Sequence, residues 1–582
     1  MSLFRCEELY GEIEMRKKRV IFFIIMIILL FGILAFRMVD LQMFKGKLME
    51  EYAEALGSQS SRLCAVRGEI LDRNSKVLVT NESTFYLTVD ESADERTVNI
   101  LSKILNKPIT KDDNKLCQPF IFAQNITKEQ AVILSEHNLQ GVSISDGYKR
   151  KTDGVRISHI AGTVGNITEE EYAEKRTLGY KINDITGKSG IERFAEEYLR
   201  GKDGEKITDS SGKTTEFPAK DGCFVELCID KELQKKCEDE LSAAVDEVNR
   251  NRNVCGGGGA VVIDVKNGDV LAMSSYPDYD ISTYAQDYDS LISDERNPVL
   301  NRCISGRYEP GSVYKPVVAL AALSEGVISK DEKILDRGIY TFYAPSYMPA
   351  CHIWTSKNET HGNINVSEAL SKSCNYYFYE VGRRLGISKI AEYGEKFCLN
   401  SKCGIELSGE EEGIIASPKT KENWVSGDTL QAAIGQSVNM FTPLSLARYT
   451  AAIANGGYVY KPHIVKRIAQ YDGKTEYERK TELQSKVDVS PEFFDAVKEG
   501  MRLCCTTGTA KQAFSDKGYS AGGKTGTAQV PSGPENGLFI GFAPYDNPEI
   551  AVCVVIEHGS GEYTALAASE IMSEWIVNRG NR

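Results

Sequence analysis

The sequence has no excess of positive charge: 82 acidic residues against 69 Lys and Arg give a net charge of −13 over 582 residues. A general nucleic-acid-binding protein needs a basic face, so no nucleic-acid partner is expected. The mean hydropathy of −0.30 excludes a polytopic membrane protein. No internal repeat or low-complexity tail occurs, and the globular composition argues against a disordered chain. At roughly 100–200 residues per domain, the length excludes a single ordinary domain.

The pattern C-x-x-C is absent from the 15 cysteines, and the adjacent Cys504 and Cys505 cannot readily pair with each other. A scattered set of this kind is awkward in an oxidising compartment. We therefore predict mostly free thiols, which behave as small buried hydrophobes. Such thiols would require a reducing or oxygen-poor exterior if the chain is exported.

Long hydrophobic runs are absent except for one near the N-terminus. Residues 20–36 contain no charge, and their number lies at the short end of the roughly 17–25 that span a bilayer. Four basic residues precede this run, and basic residues stay on the cytoplasmic side. We therefore predict a cytoplasmic tail over 1–19 and a transmembrane anchor over 20–39, with the remainder extracytoplasmic: a single-pass protein of the cell membrane. The alternatives are a cleaved signal peptide, whose apolar core is usually about 7–15 residues, and a buried core helix.

The segment between residues 45 and 220 mixes short strand-like runs with polar turns. Residues 201–222 are rich in Gly, Lys, Asp and Ser, which predicts a hairpin or a linker. The main domain boundary is predicted near Val225.

The C-terminal part predicts an α/β sandwich. Apolar residues recur at spacings of three and four through residues 231–248, which predicts a helix with one buried face. Two apolar runs flank Asn267-Gly268, a pair that favours a hairpin with a type I′ turn. Residues 551–556 predict a buried strand and residues 564–577 a closing helix. Strands at both ends of a helical middle indicate one sheet completed by distant parts of the chain.

A candidate nucleophile lies in the segment EPGSVYKP, residues 309–316. Pro-Gly precedes a predicted helix, so Ser312 falls in its first turn and Lys315 one turn later on the same face. An adjacent base activates a serine, which is otherwise a weak nucleophile. The helix N-terminus favours developing negative charge, and burial with neighbouring cations can keep a lysine partly deprotonated. The pattern S-x-x-K alone is common by chance.

Two further motifs follow in the sequence. Ser373 and Asn375 flank Cys374, and a hydroxyl and an amide at this spacing can point into one cleft from a turn. Lys524 begins K-T-G-T at a predicted strand edge, where glycine lets the backbone approach a ligand and lysine offers a positive charge to a carboxylate. The three motifs in this order are typical of penicillin-binding proteins and class A β-lactamases. The position of Asp in the usual S-D-N is occupied here by Cys374.

The chain resembles the class B penicillin-binding proteins, the monofunctional D,D-transpeptidases of peptidoglycan synthesis, over nearly everything after the predicted anchor. Residues 67–74, Arg156 with residues 159–162, and residues 187–192 look like the three motifs of the family's N-terminal pedestal. These motifs hold the pedestal together in the family and are not catalytic.

This resemblance implies a fold for each part of the chain. An α+β pedestal domain, of the PBP dimerisation type, would occupy residues 45–224. A transpeptidase domain would occupy residues 225–582, with the penicilloyl-serine transferase fold of class α/β, in which an antiparallel sheet is combined with a helical subdomain.

The resemblance also implies the catalytic roles. Ser312 attacks the carbonyl between the two D-Ala residues of a stem peptide, forms an acyl-enzyme and releases D-Ala, with Lys315 as the general base. Ser373 and Asn375 shuttle protons and orient the substrate amide, and Lys524 supports proton transfer. An amine of a second stem peptide then completes the cross-link. β-Lactams mimic D-Ala-D-Ala and should trap the serine.

The K-T-G-T strand is implied to bind the substrate. Lys524 and Thr525 bind the terminal carboxylate, and Gly526 allows the close approach of the backbone. Backbone N–H groups of Ser312 and Thr527 would form the oxyanion hole, a feature often worth several kcal/mol.

A metal site is a further expectation. Cys and His with a carboxylate suit tetrahedral Zn²⁺, and such residues lie between the first two motifs, although their spacing matches no compact zinc finger. Elongation-type members of the family hold a zinc near this place. The resemblance implies Asp336, His361 and Cys374 as ligands, with Cys351 where others carry a carboxylate. Catalysis itself requires no cofactor, so the zinc would be structural; the alternative is a buried thiol at Cys374 and surface imidazoles.

The branch of the family is indicated by three segments, residues 361–362, 373–379 and 557–559, which look more like the elongation type than the division type. Asn375 departs from the pattern, because many elongation members have Asp there. Division- or sporulation-type transpeptidases stay as the alternative. The family also implies a SEDS-type membrane glycosyltransferase as partner, since the chain shows no glycosyltransferase motif of its own.

Three other classes of protein remain as competitors. A β-lactamase would need a base that deacylates the enzyme with water, and none is identified. A signal-peptidase-like Ser-Lys protease would not need K-T-G-T or the pedestal. A non-catalytic cell-wall scaffold would not need intact Ser312, Lys315 and Lys524.

Overall fold

The computed structural model describes residues 59–89, 93–105, 120–137, 139–181, 184–208, 213–530 and 533–579, together with Met26 and residues 29–32. The predicted tail and most of the predicted anchor lie outside these residues, so both stay predictions. Within the described residues, no helix combines the length and the apolar character needed to cross a membrane.

The described strands fall into six sheets. Their bounds are Gln59–Leu63, Ile70–Leu71, Val77–Val89, Phe120–Ile126, Val142–Thr152, Val164–Asn166, Ile185–Gly187, Gly204–Thr208, Thr214–Phe217, Phe224–Leu227, Gly258–Asp264, Val270–Tyr276, Ile334–Asp336, Gly362–Ile364, Tyr458–Tyr460, Val465–Ala469, Thr475–Glu478, Leu483–Lys486, Gly522–Ala528, Asn536–Ala543 and Ile550–Ile556.

Helices dominate the middle of the chain. The α-helices are Glu95–Ile104, Lys128–Glu136, Ser158–Ala161, Glu169–Lys175, Gly190–Phe194, Glu196–Leu199, Lys231–Arg252, Tyr284–Ser293, Lys315–Ser324, His352–Lys357, Val366–Ser371, Asn375–Leu385, Ile387–Lys396, Ser426–Ala433, Pro443–Ala454, Pro491–Thr506, Lys511–Phe514 and Gly561–Ser573. Single 3₁₀ turns occupy Arg176–Leu178 and Gly311–Tyr314, and a π-helical turn occupies Glu574–Asn578.

The chain divides into two compact units. The smaller unit, residues 1–65 with 202–220, contains a three-stranded antiparallel sheet in the order Gln59–Leu63, Gly204–Thr208, Thr214–Phe217. The last two strands form the hairpin that the composition of residues 201–222 predicts. The larger unit comprises residues 66–201 and 221–582 and contains every candidate site residue.

The larger unit is built around a five-stranded antiparallel sheet, the central sheet. Its strands are ordered Val270–Tyr276, Gly258–Asp264, Ile550–Ile556, Asn536–Ala543, Gly522–Ala528. Strands from both ends of the segment therefore pair, with Val261 opposite Cys553. The predicted α/β sandwich with an antiparallel sheet is confirmed.

Both faces of the central sheet are covered by helices. Along Ile550–Ile556 every residue is buried; alternate residues belong to two different hydrophobic clusters, as the two-residue period of a strand requires. The helices Lys231–Arg252 and Gly561–Ser573 pack on one face, and Pro443–Ala454 packs on the other. The predicted helix over 231–248 is thus present and runs one turn further, whereas the closing helix begins at Gly561, three residues before its predicted start.

The hairpin around Asn267-Gly268 is present, but its predicted type I′ turn is wrong. Such a turn needs positive φ at both central residues, and only Gly268 has it, with φ of 80°. The connection is longer and is held by side chains: the Asp264 carboxylate accepts from the N–H of Lys266, and Asn267 Oδ1 accepts from the N–H of Asp269. These local Asx bonds replace the tight turn that the dipeptide favours.

A second sheet, of seven strands, joins residues on both sides of Val225. The strand Phe224–Leu227 pairs in parallel with Ile70–Leu71 and antiparallel with Val465–Ala469. The predicted boundary therefore falls inside a strand that has partners from both parts of the chain.

Candidate active site

The nucleophile candidate lies on a 3₁₀ turn, Gly311–Tyr314, that continues directly into the α-helix Lys315–Ser324. Ser312 was expected in the first turn of that α-helix, and the structure corrects this: Lys315 is the first α-helical residue, with Pro316 behind it. Proline is favoured here because its missing N–H is not needed at a helix start. The helix is buried along its whole length except for its last residue, so the turn is held on a rigid element.

Gly311 is required at the start of the turn by its neighbours. Its φ is +53°, a region that side chains rarely adopt. A Cβ atom there would lie 2.8 Å from the carbonyl oxygen of Thr527, and one on Gly435 would lie 2.0 Å from the Gly311 oxygen. The serine turn is therefore pressed against the backbone of the K-T-G-T strand, as an oxyanion hole shared by Ser312 and Thr527 requires.

The Lys315 side chain is fully buried and reaches the second motif. Its Nζ donates to the backbone oxygen of Ser373 at 2.8 Å and to Oδ1 of Asn375 at 2.6 Å, and it lies 3.4 Å from Ser373 Oγ. Burial, and then the charge of Lys524, lower the pKa of Lys315 to about 7. Two of the hydrogens are thus held by carbonyl oxygens, and the third is within 3.4 Å of the Ser373 hydroxyl oxygen.

The second motif forms a turn between the helices Val366–Ser371 and Asn375–Leu385. Ser373 has φ of 57°, which is uncommon for a residue with a side chain and costs free energy. Backbone bonds from the N–H groups of Ser373 and Cys374 to the oxygens of Leu370 and Ala369 hold this conformation. Left-handed backbone at such a position is typical of functional sites.

The third motif lies on the edge strand of the central sheet, Gly522–Ala528, next to the serine turn. Lys524 is fully buried; its Nζ donates to Ser373 Oγ at 2.9 Å, and burial lowers its pKa to about 8. Thr525 is half-buried and Thr527 is exposed on the same face of the strand. Gly526 packs closely, since a Cβ there would lie 2.9 Å from Val313.

One hydroxyl beside the third motif was missed in the sequence. Thr509, in the loop after the helix Pro491–Thr506, has its Oγ1 2.6 Å from Oγ1 of Thr525. A second hydroxyl that the sequence did not indicate is that of Tyr449, which is buried and donates to the carbonyl of Val313 in the serine turn. Neither residue carries a sequence pattern that would have identified it.

The four predicted metal ligands lie together. One ligand atom from each of Asp336, Cys351, His361 and Cys374 can be chosen so that all lie within 4.8 Å of one another. His361 Nδ1 is 2.9 Å from Asp336 Oδ2 and 3.6 Å from Cys351 Sγ, and the two sulfur atoms are 3.9 Å apart. Ligands of a tetrahedral zinc with bonds of about 2.0–2.3 Å are about 3.3–3.8 Å apart. The donor set therefore fits Zn²⁺, and the separations of 2.9 to 4.8 Å bracket that range.

Supporting hydrogen bonds orient these four side chains. The backbone N–H groups of Gly338 and His361 donate to the two oxygens of Asp336, at 2.8 and 3.0 Å. The N–H of Tyr377 lies 3.4 Å from Cys374 Sγ. Outer hydrogen bonds of this kind fix the ligands of metal sites.

Among the described residues no disulfide joins the cysteines, which lie at positions 64, 223, 228, 237, 255, 303, 351, 374, 398, 403, 504, 505 and 553. Most are buried. The inference about an oxygen-poor exterior stays a prediction.

The three pedestal motifs meet in the structure. Arg67 of the first motif binds Glu192 of the third at 2.6 Å, and Arg150 binds the other oxygen of Glu192 at 2.6 Å. Arg156 of the second motif donates to the backbone oxygen of Glu238 at 2.9 Å. His159 Nε2 lies 2.8 Å from the oxygen of Pro298. The first and third motifs therefore bind each other, and the second links residues 66–201 to the transpeptidase segment.

Models of two known protein families match long segments of this chain. The penicillin-binding protein transpeptidase domain matches residues 258–576, which is more than half of the chain, and the penicillin-binding protein dimerisation domain matches residues 62–227. The chain belongs to the penicillin-binding protein transpeptidase family. Neither match extends over residues 228–257, so the boundary near Val225 stays a prediction.

Named relatives indicate the branch of the penicillin-binding protein family to which the chain is similar. The peptidoglycan D,D-transpeptidase MrdA of Haemophilus influenzae is 29% identical over 95% of this chain and 90% of its own length. Stage V sporulation protein D of Bacillus subtilis is 31% identical over 94% of this chain and 82% of its own. In the solved complex of the penicillin-binding protein PBP2 with MreC from Helicobacter pylori, a chain 25% identical aligns with a TM-score of 0.74 over 90% of this chain and 100% of that one. The resemblance to class B penicillin-binding proteins of the elongation type is confirmed.

Proposed function

We propose that this penicillin-binding protein cross-links peptidoglycan by D,D-transpeptidation through a serine acyl-enzyme, in cell elongation and shape maintenance. The observation that supports it most directly is the geometry of Lys315. Its amine is buried, its pKa is lowered to about 7, and Ser373 and Asn375 occupy two of its hydrogens. A neutral amine held in this way is suited to accept the proton of Ser312.

Acylation follows from these positions. Lys315 takes the hydroxyl proton as Ser312 attacks the carbonyl between the two D-Ala residues of a stem peptide. A general base of this kind contributes roughly 10²–10⁴-fold to the rate. The N–H groups of Ser312 and Thr527 stabilise the oxyanion, and Ser373, which accepts from Lys524, passes a proton to the departing D-Ala amine.

The substrate carboxylate is bound by the K-T-G-T strand. Thr525 and Thr527 offer hydroxyl donors on one face, and Lys524 supplies positive charge from behind. The amine of a neighbouring stem peptide then attacks the ester and restores Ser312. β-Lactams present the same carboxylate and carbonyl and trap the serine.

A structural zinc is part of the proposal. Asp336, Cys351, His361 and Cys374 would hold it, and the metal would supply only tetrahedral cross-linking of the loops that carry them. Because Cys374 lies between Ser373 and Asn375, the ligands fix the turn that contacts Lys315.

We further propose that the protein is anchored in the cell membrane by residues 20–39, with its N-terminus cytoplasmic and its catalytic unit outside. The uncharged run and the basic residues before it support this topology. A SEDS-type membrane glycosyltransferase would supply the glycan strands. The Helicobacter pylori relative has been solved in complex with MreC, and we propose a partner of that kind here as well.

The test is covalent labelling by a fluorescent penicillin. Wild type should form a stable adduct, and Ser312→Ala should form none while keeping its melting temperature, since a cleft hydroxyl contributes little stability. The matched control is Ser329→Ala, an exposed serine beyond the same helix, which should label like wild type. Rapid turnover of the adduct would indicate a β-lactamase, and no adduct on folded wild type would indicate a scaffold.

A further inference from the structure

Two groups outside the known motifs form a hydrogen-bonded row that ends at Thr525 in the substrate-binding strand. Cys504 Sγ lies 3.2 Å from Thr509 Oγ1, which lies 2.6 Å from Thr525 Oγ1. The Cys504 thiol is buried in the helix Pro491–Thr506, whereas Thr509 is exposed at the cleft. The row thus runs from the protein interior to the residue that faces the substrate carboxylate.

The loop that carries Thr509 also contacts the turn of the second motif. The Thr509 N–H lies 3.4 Å from the backbone oxygen of Ser371, two residues before Ser373. A Cβ on Gly508 would lie 2.4 Å from the same oxygen, so only glycine permits this approach. The backbone of Gly508 and Thr509 is therefore held against the Ser371 oxygen, which fixes the position of Thr509.

The number of hydrogens that each hydroxyl can donate decides which residue of the row is the donor. A hydroxyl has one hydrogen to donate and two lone pairs to accept with. If Thr525 donated to Thr509, only its lone pairs would face the cleft and would repel a carboxylate. If Thr509 donates to Thr525, the Thr525 hydrogen is free to point at the carboxylate, and the thiol of Cys504 can donate to Thr509.

We propose that Thr509 is a positioning residue for the substrate carboxylate: it donates to Thr525 and thereby turns the Thr525 hydroxyl towards the anion. This inference rests on the proposed function, because it assumes that Thr525 binds the carboxylate of a stem peptide or a penicillin. Thr509 acts through Thr525. Its contribution concerns binding of the anion and not the chemistry at Ser312.

The test separates reversible binding of a penicillin from the acylation rate constant by rapid-mixing kinetics. Thr509→Val keeps the branched shape and the N–H to Ser371 but removes the hydroxyl. It should weaken reversible binding roughly 3- to 10-fold, the size of one hydrogen bond between neutral groups, and leave the acylation rate constant within about twofold. Thr509→Ser should restore binding. Thr507→Val, whose hydroxyl bonds to the Leu503 oxygen in the same loop, is the matched control and should behave as wild type.

A second ligand distinguishes positioning from loop support. The methyl ester of the same penicillin has no anion for Thr525 to bind, so Thr509→Val should leave its affinity unchanged. Equal losses for acid and ester, or no rescue by Thr509→Ser, would overturn the positioning role and leave the acylation chemistry intact. A wild type that penicillin does not acylate would instead overturn the proposed function, and this inference with it.

Discussion

Burial of two lysines side by side sets the protonation state of the site. An ordinary lysine has a pKa of about 10.4 and is almost entirely protonated at neutral pH. With the pKa of Lys315 lowered to about 7, a far larger fraction of the molecules carries the neutral amine there. Desolvation is the larger cause and the charge of Lys524 the second. The two catalytic motifs are therefore coupled electrostatically as well as through Ser373.

This coupling predicts the pH dependence of acylation. The rate of penicillin acylation should rise as pH passes about 7, because only the neutral form of Lys315 accepts the proton. It should fall again above about pH 8, where Lys524 loses the positive charge that it offers to the carboxylate. Lys524→Gln should lower the rate at every pH and also move the midpoint to higher pH, since one repelling charge is gone. The midpoint is measured from second-order rate constants between pH 5 and 10.

The control for that profile is Lys330→Gln, which removes an exposed lysine and should leave the midpoint in place. A midpoint that stays fixed in Lys524→Gln would contradict the electrostatic coupling.

At the residue scale, sequence motifs found the groups that react but not those that orient them. Lys315 and Lys524 both reach Ser373, as the motif order predicts. The turn that carries Ser312 packs on the strand of Lys524. Thr509 could not be found, because a threonine in a polar loop has no pattern of its own. Its contact with Thr525 exists only once the helix Pro491–Thr506 packs on the edge strand.

At the scale of elements, local composition predicted strands and helices well and their ends poorly. The hairpin at Gly258–Tyr276 formed as expected, yet its turn was decided by Asp264 and Asn267 side chains that compete for backbone N–H groups. The 3₁₀ turn at Ser312 also depends on contacts that the local sequence does not reveal. Packing of Gly311 against two other backbones sets the first turn, and helix propensity does not include such contacts.

The loops around Cys374 predict a testable dependence on metal. Purified wild type should contain about one zinc per chain by elemental analysis, and Cys351→Ser should lose most of it, because a hydroxyl is a poor zinc ligand compared with a thiolate. Labelling of Ser312 should slow in this variant, since the turn that contacts Lys315 is no longer fixed.

Cys398→Ser is the matched control for that experiment. Cys398 is a half-buried thiol outside the ligand set, so this variant should retain both zinc and labelling. Wild type purified without zinc, yet labelled at the normal rate, would exclude a structural role for the metal.

At the scale of the whole molecule, one hydrophobic cluster of the larger unit contains residues of both the pedestal and the transpeptidase segment. The same hydrophobic cluster contains Ile70 and Ile160 from the pedestal motifs and Val261 and Val317 from beneath the active site. Strand pairing at Phe224–Leu227 crosses the predicted boundary. No sequence pattern could reveal this pairing across the boundary. The register of strands far apart in the chain depends on the packed core and not on either strand alone.

The buried ion pairs of Glu192 offer a way to test this continuity. Burial alone would raise its pKa, but the guanidinium groups of Arg150 and Arg67 outweigh burial and hold it below the usual value of 4.5. Its stabilisation is therefore complete above about pH 4.5 and is lost as pH falls through the lower native pKa. Glu192→Gln leaves the buried Arg150 without its ion-pair partner, whereas Arg67 keeps Glu196. Breaking a buried pair costs about 3–5 kcal/mol.

We expect the lost stabilisation to lower the unfolding temperature of the whole larger unit. On heating at neutral pH, proteolysis within residues 66–201 and loss of penicillin acylation should begin at the same temperature in wild type. In Glu192→Gln both should begin at the same lower temperature, although Glu192 contacts no active-site residue. Glu197→Gln, an exposed neighbour on the same segment, should change neither. Acylation that outlasts cleavage of residues 66–201 would mean that the shared strand and core do not make the two parts unfold together.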